Sequence, residues 1–255
     1  MFQRPPSRND SVIRLFCVPH AGSGATAFRG WAQPLLPEIE ATVVELPGRE
    51  SRFRDMPYPR MEPLVNDLAS AVIAALAEDQ PFAFFGNSLG SLIAFETLHE
   101  IHRRTGREAL HLFVSASGAP QCEPPLPPIG HLADRELVRA VDERYGGIPA
   151  VVLADKEFLA AILPTLRADI CLLEAYQRPE PKPLTCSVTA FAGLRDATVP
   201  LEHVEAWRDQ TTGSFERVCL NEGHLYLQTA RDLLVHRVRD NLLAGAPMRQ
   251  EEISQ

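Results

Sequence analysis

The sequence contains Phe82-Ala-Phe-Phe-Gly86-Asn87-Ser88-Leu89-Gly90, an apolar run that ends in the pattern G-x-S-x-G. An amphipathic run begins directly after it, at Ser91. A strand, a tight turn and a helix in this order are typical of a nucleophile elbow, in which a strained turn exposes the serine Oγ. Gly86 and Gly90 fit this geometry, because a side chain at either position would collide with the neighbouring strand or helix. We therefore predict that Ser88 is a nucleophile; the alternative is a serine in an ordinary glycine-rich turn.

Strands and helices alternate on both sides of this turn. The apolar runs predict strands at 12–18, 41–46, 82–85, 110–115, 186–191 and 215–220. Helical periodicity is present at 61–77, 91–104, 134–145, 156–176, 201–208 and 228–243. Strands that alternate with helices indicate βαβ units, so we predict an α/β fold with a mostly parallel central sheet flanked by helices.

Two proline clusters, at 119–128 and 179–183, interrupt this alternation, and the helical patterns between them have no predicted strand. We interpret residues 123–182 as a helical lid inserted into a core formed by residues 1–122 and 183–243. The alternative is a purely structural elaboration. We expect residues 244–255 to form a flexible C-terminal tail.

Length and composition limit the class of protein. A chain of 255 residues with 45% hydrophobic content can form one large domain. It has no apolar run long enough to span a bilayer, and Met1–Asp10 is too polar for a signal peptide, so we expect a cytoplasmic protein. The formal net charge of −8 argues against general nucleic-acid binding. We expect buried free thiols rather than disulfides at the scattered cysteines 17, 122, 171, 186 and 219.

A serine hydroxyl becomes a good nucleophile only beside a base, and that base needs an orienting acid. In α/β-hydrolases the acid and then the histidine follow the serine, each in a loop after a later strand. Asp196 follows the predicted strand at 186–191, and His224 follows the strand at 215–220. We predict a catalytic set of Ser88, Asp196 and His224.

Other assignments are open for these polar residues. Asp196 could cap a helix or a turn, which would leave Asp209 or Glu222 as the acid. His99 and His102 stand three residues apart beside acidic residues, which suggests a metal site. The pattern is not H-E-x-x-H and no third ligand stands out, so we favour a solvated helix face and expect no metal.

An acyl-transfer site also needs N–H donors for a developing oxyanion. One donor is expected from Leu89, which follows the nucleophile, and the other from a loop after an early strand. The loop Pro19–Gly24 follows the first predicted strand, and its glycines let the backbone approach a ligand. We predict that the N–H of Ala21 is the second donor.

The same loop permits a dinucleotide-binding interpretation. The stretch Gly22–Ala27 matches G-x-G-x-x-G/A, and Glu45 is placed like a ribose-binding acid. Three residues separate the strand from Gly22, whereas this fingerprint usually joins them directly. The interpretation also leaves the serine, aspartate and histidine unexplained, so we do not favour it.

Several motifs give a more specific resemblance. They are Leu15–Gly22, Val44–Glu50, Phe85–Gly90, Leu166–Asp169, Phe191–Asp196 and Gly223–His224, and they extend over nearly the whole chain. With these motifs the chain resembles type II thioesterases, the discrete editing hydrolases of polyketide synthases and non-ribosomal peptide synthetases. The early P-[HY]-A-G motif together with E-L-P-G-R-x-x-R is far more restrictive than the three catalytic residues.

The resemblance implies an α/β-hydrolase fold with a helical lid. The substrate it implies is an aberrant or stalled acyl group on the phosphopantetheine arm of an acyl or peptidyl carrier protein. Ser88, Asp196 and His224 fall on the family's triad positions, and Ala21 and Leu89 on its oxyanion-hole positions. The implied mechanism proceeds through an acyl-enzyme and needs no cofactor beyond the phosphopantetheine on the substrate. We expect no nucleic-acid or membrane partner, and a monomer.

The sequence departs from the family pattern at three positions. Asn87 replaces a histidine, Glu222 replaces a glycine, and Leu225 replaces an aromatic residue. If Glu222 approached the imidazole of His224, it would raise the pKa of that base. A solvent-facing loop acid is the favoured interpretation.

Carrier domains of this kind are typically acidic, so docking would need a local basic surface. The candidates are Arg49, Arg52, Arg54 and Arg60, although Arg49 also has a possible structural role in the E-L-P-G-R loop. Three other functions are less favoured: a general carboxylesterase or lipase, a chain-releasing thioesterase fused to a synthase, and a non-catalytic carrier-binding protein. An intact and correctly ordered triad argues against the last.

Overall fold

Six parallel strands form one central sheet in a computed structural model of the protein, which describes residues 1–2, 13–146, 148, 155–177 and 183–245. The strands are β1 (Ile13–Val18), β2 (Ile39–Val43), β3 (Phe82–Asn87), β4 (His111–Ser115), β5 (Ser187–Gly193) and β6 (Phe215–Leu220). Their spatial order is β2-β1-β3-β4-β5-β6, and every neighbouring pair is parallel. The predicted α/β class is confirmed.

Helices cover both faces of the sheet. They are α1 (Ala32–Leu35), α2 (Met61–Ala75), α3 (Leu89–Thr105), α4 (Asp134–Tyr145), α5 (Lys156–Glu174), α6 (Leu201–Glu205) and α7 (Arg231–Gly245). One apolar core contains α2 and α3, and the other contains α1 and α7. Because both faces are covered, β1, β3 and β4 are buried along their whole length and are mostly apolar.

Some predicted boundaries are wrong. β2 ends at Val43 rather than at 46, because the buried apolar residues Val44 and Leu46 belong to a loop that leaves the sheet and still packs into the core. α7 begins at Arg231 rather than at 228. Helix α1 and a short 3₁₀ helix at Ala25–Phe28 were not predicted.

The predicted insertion lies between β4 and β5. Its helices α4 and α5 share a small apolar cluster of their own, made of Ile129, Leu137, Val138, Val141, Leu163 and Ile170. The boundaries at 123 and 182 stay predictions, and residues 149–154 and 178–182 lie outside the described residues. Of the predicted tail, Ala244 and Gly245 end α7 and the rest is likewise outside them.

The structure bears on two expectations drawn from composition, one about membrane-spanning helices and one about the cysteines. None of the described helices has the length and apolar character needed to cross a membrane. All five cysteines are free thiols, as predicted, but only Cys17 and Cys186 are buried; Cys171 and Cys219 are exposed, and Cys122 is intermediate.

Phe85 lies at the centre of an aromatic cluster on the face of the sheet that α1 and α7 cover. It is fully buried, and its ring packs within 4.7–6.3 Å of the rings of Phe28, Trp31, Phe113 and Phe191. We expect Phe85→Ala to lower the free energy of unfolding by about 3–5 kcal/mol, because it leaves a cavity that rigid rings cannot fill. Phe53→Ala is the control in chemical denaturation: Phe53 is 52% exposed, and its loss is expected to change stability by less than about 0.5 kcal/mol. Equal effects would contradict the central role of Phe85.

Candidate active site

Ser88 occupies the predicted turn between β3 and α3. Its backbone has φ +53° and ψ −117°, a strained conformation for a residue other than glycine. A Cβ atom on Gly86 would lie 2.4 Å from the carbonyl oxygen of Gly90, and one on Gly90 would lie 2.2 Å from that of Val18. The structure therefore contains the elbow, and its two glycines are required by close backbone approaches.

The structure brings the three predicted catalytic residues together. Nε2 of His224 lies 3.2 Å from Oγ of Ser88, and Nδ1 of His224 lies 2.7 Å from Oδ2 of Asp196. The side chains of His224 and Asp196 are 5% and 1% exposed. Because the loops after β5 and β6 meet at the carboxyl edge of the sheet, the acid and the imidazole reach the elbow from neighbouring strands.

Thr198 completes the surroundings of the acid. Its N–H and its hydroxyl donate to Oδ1 of Asp196, at 2.8 and 2.6 Å. Burial of Asp196 opposes its ionisation, but the hydrogen bonds from His224 and Thr198 outweigh that effect and hold the pKa of this carboxyl below its usual value. An ionised carboxylate at this place keeps the proton of His224 on Nδ1 and leaves Nε2 free to accept the serine proton.

The alternative acids lie elsewhere. Asp209 belongs to the 3₁₀ helix Ala206–Gln210. Oε2 of Glu222 lies 3.8 Å from Nη2 of Arg195, and its side chain is one-third exposed. Glu222 therefore has a cationic partner at the surface, in agreement with the favoured interpretation of a loop acid.

Two tyrosines that the sequence analysis missed hold the base. Tyr226 follows His224 by two residues, and its hydroxyl accepts from the N–H of Ala116 at 2.8 Å and donates to the carbonyl of Phe191 at 2.8 Å. It thus ties the histidine loop to the ends of β4 and β5, and burial raises its pKa. Tyr145, at the end of α4, packs its ring 4.8 Å from the imidazole of His224. No spacing in the sequence indicates either contact.

The two predicted oxyanion donors are unpaired. Among the described residues, neither the N–H of Ala21 nor that of Leu89 donates to any acceptor. Leu89 is the first residue of α3, where backbone N–H groups have no partner within the helix. Ala21 lines a cavity together with Ser88 and His224. Two unpaired N–H groups close to one serine are available to stabilise a developing oxyanion.

Asn87 has a defined contact that accounts for its position. Its Nδ2 lies 3.1 Å from Nδ1 of His20, and its side chain is almost fully buried. An amide N–H can only donate, so Nδ1 of His20 accepts and the ring proton is on Nε2. Burial, with smaller contributions from the nearby His224 and Arg49, lowers the pKa of His20 to about 4. His20 is therefore neutral at neutral pH, and it precedes Ala21 directly.

Two cavities meet at Ser88 and His224. The first, of about 230 Å³, is apolar and is enclosed by residues of α4 and α5 that include Val138, Val141, Leu159, Ile162, Leu163 and Leu166. The second, of about 160 Å³, lies beside the proline-rich segment 116–127 and has polar walls at Glu123, Arg144 and Glu174. Tyr145, Ile170 and Leu173 line both. The insertion therefore forms walls of both cavities that open on the nucleophile.

The dinucleotide interpretation does not fit the structure. β1 is followed by the short 3₁₀ helix Ala25–Phe28, not by a long helix whose N-terminus could hold a pyrophosphate. Glu45 is 2% exposed, and its Oε1 accepts the N–H of Ser51 at 2.6 Å. Glu45 thus stabilises its own loop and does not face a ligand.

The described residues contain no group of three or more metal-ligating side chains. The ring of His99 packs edge-on against Phe95, with 4.6 Å between the ring centroids. Nδ1 of His102 lies 2.8 Å from Oε1 of Glu108. The two histidines therefore have separate partners on the flank of α3.

The parallel sheet, the elbow and the serine–histidine–aspartate geometry define an α/β-hydrolase. The sequence profile of the thioesterase domain matches residues 13–242, so the chain belongs to the thioesterase family. The gramicidin S biosynthesis protein GrsT of Aneurinibacillus migulanus is 36% identical over 220 residues, which cover 86% of this chain and 84% of the relative.

Solved structures show the same relationship. The RedJ thioesterase from the prodiginine pathway of Streptomyces coelicolor matches with a TM-score of 0.81 and 38% identity, over 90% of each chain. The type II thioesterase BorB from the borrelidin biosynthetic cluster matches with a TM-score of 0.82 and 29% identity, over 95% of this chain and 96% of its own. The chain is a thioesterase, and its close relatives are type II thioesterases of polyketide and non-ribosomal peptide systems. The alternative of a general carboxylesterase is not favoured.

The neutral His20 predicts how stability depends on pH. Its pKa is about 4 in the folded protein and near 6.5 in the unfolded chain, so the unfolded chain binds more protons between these values. Acidification from pH 6.5 to 4 is therefore expected to lower the free energy of unfolding, by about 3 kcal/mol at most from this group. Burial also lowers the pKa of His111 to about 4, and His111 acts in the same direction.

Denaturation of His20→Gln at several pH values measures this effect. The variant is expected to lose stability less steeply below pH 6.5 than the wild type, while His111 preserves part of the slope. His131→Gln is the control, because His131 is exposed. An unchanged slope in His20→Gln would contradict the neutral state of His20.

Proposed function

We propose that this thioesterase hydrolyses acyl groups from the phosphopantetheine arm of carrier proteins, with Ser88 as nucleophile, His224 as base and Asp196 as the orienting acid. The observation that carries the proposal is the hydrogen-bonded chain from Ser88 Oγ through His224 to Asp196, placed where two cavities meet. The unpaired N–H groups of Ala21 and Leu89 support an oxyanion hole beside it.

In the proposed mechanism, Nε2 of His224 takes the Ser88 proton while Oγ attacks the thioester carbonyl. The N–H groups of Ala21 and Leu89 stabilise the charge on the carbonyl oxygen. The tetrahedral intermediate then expels the pantetheine thiol, which receives the proton from His224. Water, activated by the same imidazole, releases the acid from Ser88. These steps need no metal or redox cofactor.

The two cavities suggest how the substrate lies. We assign the acyl chain to the apolar cavity, because its walls are aliphatic side chains of α4 and α5. The second cavity offers the charged side chains Glu123, Arg144 and Glu174, which suit the amide and hydroxyl groups of a pantetheine arm. In this arrangement the insertion acts as the lid, on a core formed by residues 1–122 and 183–243.

The carrier protein is the partner that this chemistry needs, and the relatives from antibiotic biosynthesis support it. Two of the four candidate docking arginines form ion pairs or hydrogen bonds with other residues of this protein. Arg49 is buried and paired with Asp169, and Arg52 bonds Asp55 at 2.8 Å and the carbonyl of Glu45 at 3.0 Å.

Arg54 and Arg60 are exposed, and neither has an ion-pair partner among the described residues. The apolar residues Phe53 and Met56, within two positions of Arg54 in the sequence, are 52% and 86% exposed. We call Phe53, Arg54, Met56 and Arg60 the docking patch. Exposed cations around apolar side chains complement an acidic carrier surface, although the whole chain is acidic.

A substrate panel tests the reaction. Acyl-carrier proteins of increasing acyl length are compared with the matching N-acetylcysteamine thioesters. We expect kcat/KM to be at least about tenfold higher with the carrier, which corresponds to about 1.4 kcal/mol of docking free energy. Equal values would favour a hydrolase of free thioesters or esters. A fluorophosphonate probe should label the wild type but not Ser88→Ala; labelling of both would contradict the assigned nucleophile.

Charge reversal tests the docking patch. The double variant Arg54→Glu with Arg60→Glu is expected to lower the association rate with acyl-carrier protein at low salt, because rim charges mainly steer encounter. Hydrolysis of a small thioester should not change. A second double variant, Arg29→Glu with Arg208→Glu, makes the same change in net charge at exposed sites outside the patch. If both double variants slow association equally, the docking patch is not the carrier surface.

A further inference from the structure

The turn that presents Ala21 is held by a residue from the insertion. Residues His20 to Ser23 form a β-turn in which the N–H of Ser23 donates to the carbonyl of His20 at 3.1 Å. Gly22 has φ +72°, as the third residue of a type II turn requires. The N–H of Gly22 donates at 2.8 Å to Oδ2 of Asp169, which lies on α5.

Asp169 is itself held in place by the side chain of Arg49. Nη1 and Nη2 of Arg49 donate to its two carboxylate oxygens at 2.7 and 2.9 Å, and both side chains are 7% exposed. Nη1 of Arg49 also donates at 3.0 Å to the carbonyl of Ser23. The buried ion pair therefore binds an N–H at Gly22 and a carbonyl at Ser23, two consecutive residues of one turn.

These bonds set the direction of the Ala21 N–H. That N–H and the carbonyl of His20 belong to one trans peptide unit, so they point in opposite directions. Because the His20 carbonyl is bound inside the turn by Ser23, the Ala21 N–H is directed out of the turn. A rotation of the turn that redirects this N–H would strain two hydrogen bonds, the one that Gly22 N–H donates to Asp169 and the one that Arg49 donates to the Ser23 carbonyl.

The same helix also forms the acyl cavity. Leu166 and Ile170, on either side of Asp169 along α5, line that cavity. Leu166 packs against Gly22 so closely that a Cβ atom there would lie 2.8 Å from its Cδ1 atom. Thr165 adds a bond to the carbonyl of Gly48 at 2.7 Å. The placement of α5 over the substrate and the placement of the turn are thus mechanically linked.

We propose that Asp169 and Arg49 are positioning residues for the oxyanion hole, which hold the Ala21 N–H toward the thioester carbonyl when α5 is seated over the site. The inference rests on the acyl-transfer mechanism proposed above. It has a physical basis in that oxyanion donors act through preorganisation, so a donor that must reorient during the reaction contributes little. Neither Arg49 nor Asp169 lines either of the two cavities described above, so the pair is expected to act on kcat through Ala21.

Asp169→Asn is the main variant, since it keeps the shape of the side chain and removes the charge that holds Arg49. We expect kcat for a small thioester to fall by about 10²-fold, the loss that follows a displacement of about 1 Å at a reacting centre. KM should stay unchanged. Arg49→Lys is the second variant; it keeps the charge but loses the two-pronged contact, and it should have the same kind of effect.

Inhibitor binding separates positioning from general damage. A trifluoromethyl ketone analogue of the substrate adds to Ser88, whose proton passes to His224, and its carbonyl oxygen becomes an oxyanion. A thioether analogue without the carbonyl measures ground-state binding. Asp169→Asn is expected to weaken the ketone by the same factor as kcat/KM and to leave the thioether unchanged. Equal weakening of both analogues, or a wild-type affinity for the ketone, would overturn the proposal.

Arg167→Gln is the matched control. Arg167 stands two residues before Asp169 and ties α5 to the rest of the insertion, through the carbonyls of Gly130 and Leu132 and through Asp134. Within the described part of the chain, its hydrogen bonds go to Gly130, Leu132 and Asp134 and not to residues 20–23. Its loss should lower thermal stability while the ratio of ketone to thioether affinity stays as in the wild type. A wild-type enzyme without activity on any thioester would instead refute the proposed function.

Discussion

The contact of Gly90 with the end of β1 determines where the other parts of the site must lie. A Cβ atom on Gly90 would lie 2.2 Å from the carbonyl oxygen of Val18, so the start of α3 packs directly on the backbone at the end of β1. This approach places the strained Ser88 beside the loop that follows β1. Ser88 and Ala21 line the same cavity for this reason, although they are far apart in the sequence.

From that contact outward, polar groups at the carboxyl edge of the sheet hold one another in place. Asp196 is bound by Thr198 and His224, and the histidine loop is anchored by Tyr226 to β4 and β5. Both carboxylate oxygens of Asp196 and the hydroxyl of Tyr226 are hydrogen-bonded, so these buried groups do not cost the free energy of an unpaired polar atom. A buried ion pair contributes little net stability, and the retention of Arg49 and Asp169 is better explained by the turn that they bind.

The sheet and the meeting of Ser88, Asp196 and His224 could be predicted because each has a local signature. The pattern around Ser88 combines a strand, two glycines and a helix, and Asp196 and His224 each follow an apolar strand. The contact of Asp169 with Gly22 spans 147 residues, and no periodicity in a helix says which distant loop it will meet. The motif Leu166–Asp169 was noticed only through a family resemblance. The sequence permits either a surface role or a structural role for Arg49, and the burial of its side chain supports the structural role.

Asn87 shows why a departure from a family pattern need not disturb the site. A histidine at position 87 would lie beside His20 and near His224. Protonation of any one of these three rings would disfavour protonation of the other two. An amide donates to Nδ1 of His20 at every pH, so the neighbour of Ala21 keeps one tautomer. The substitution has a cost, because Oδ1 of Asn87 is buried with no partner among the described residues, a loss of about 1–3 kcal/mol. In exchange, Asn87 fixes the tautomer of the residue that precedes Ala21 in the turn at residues 20–23.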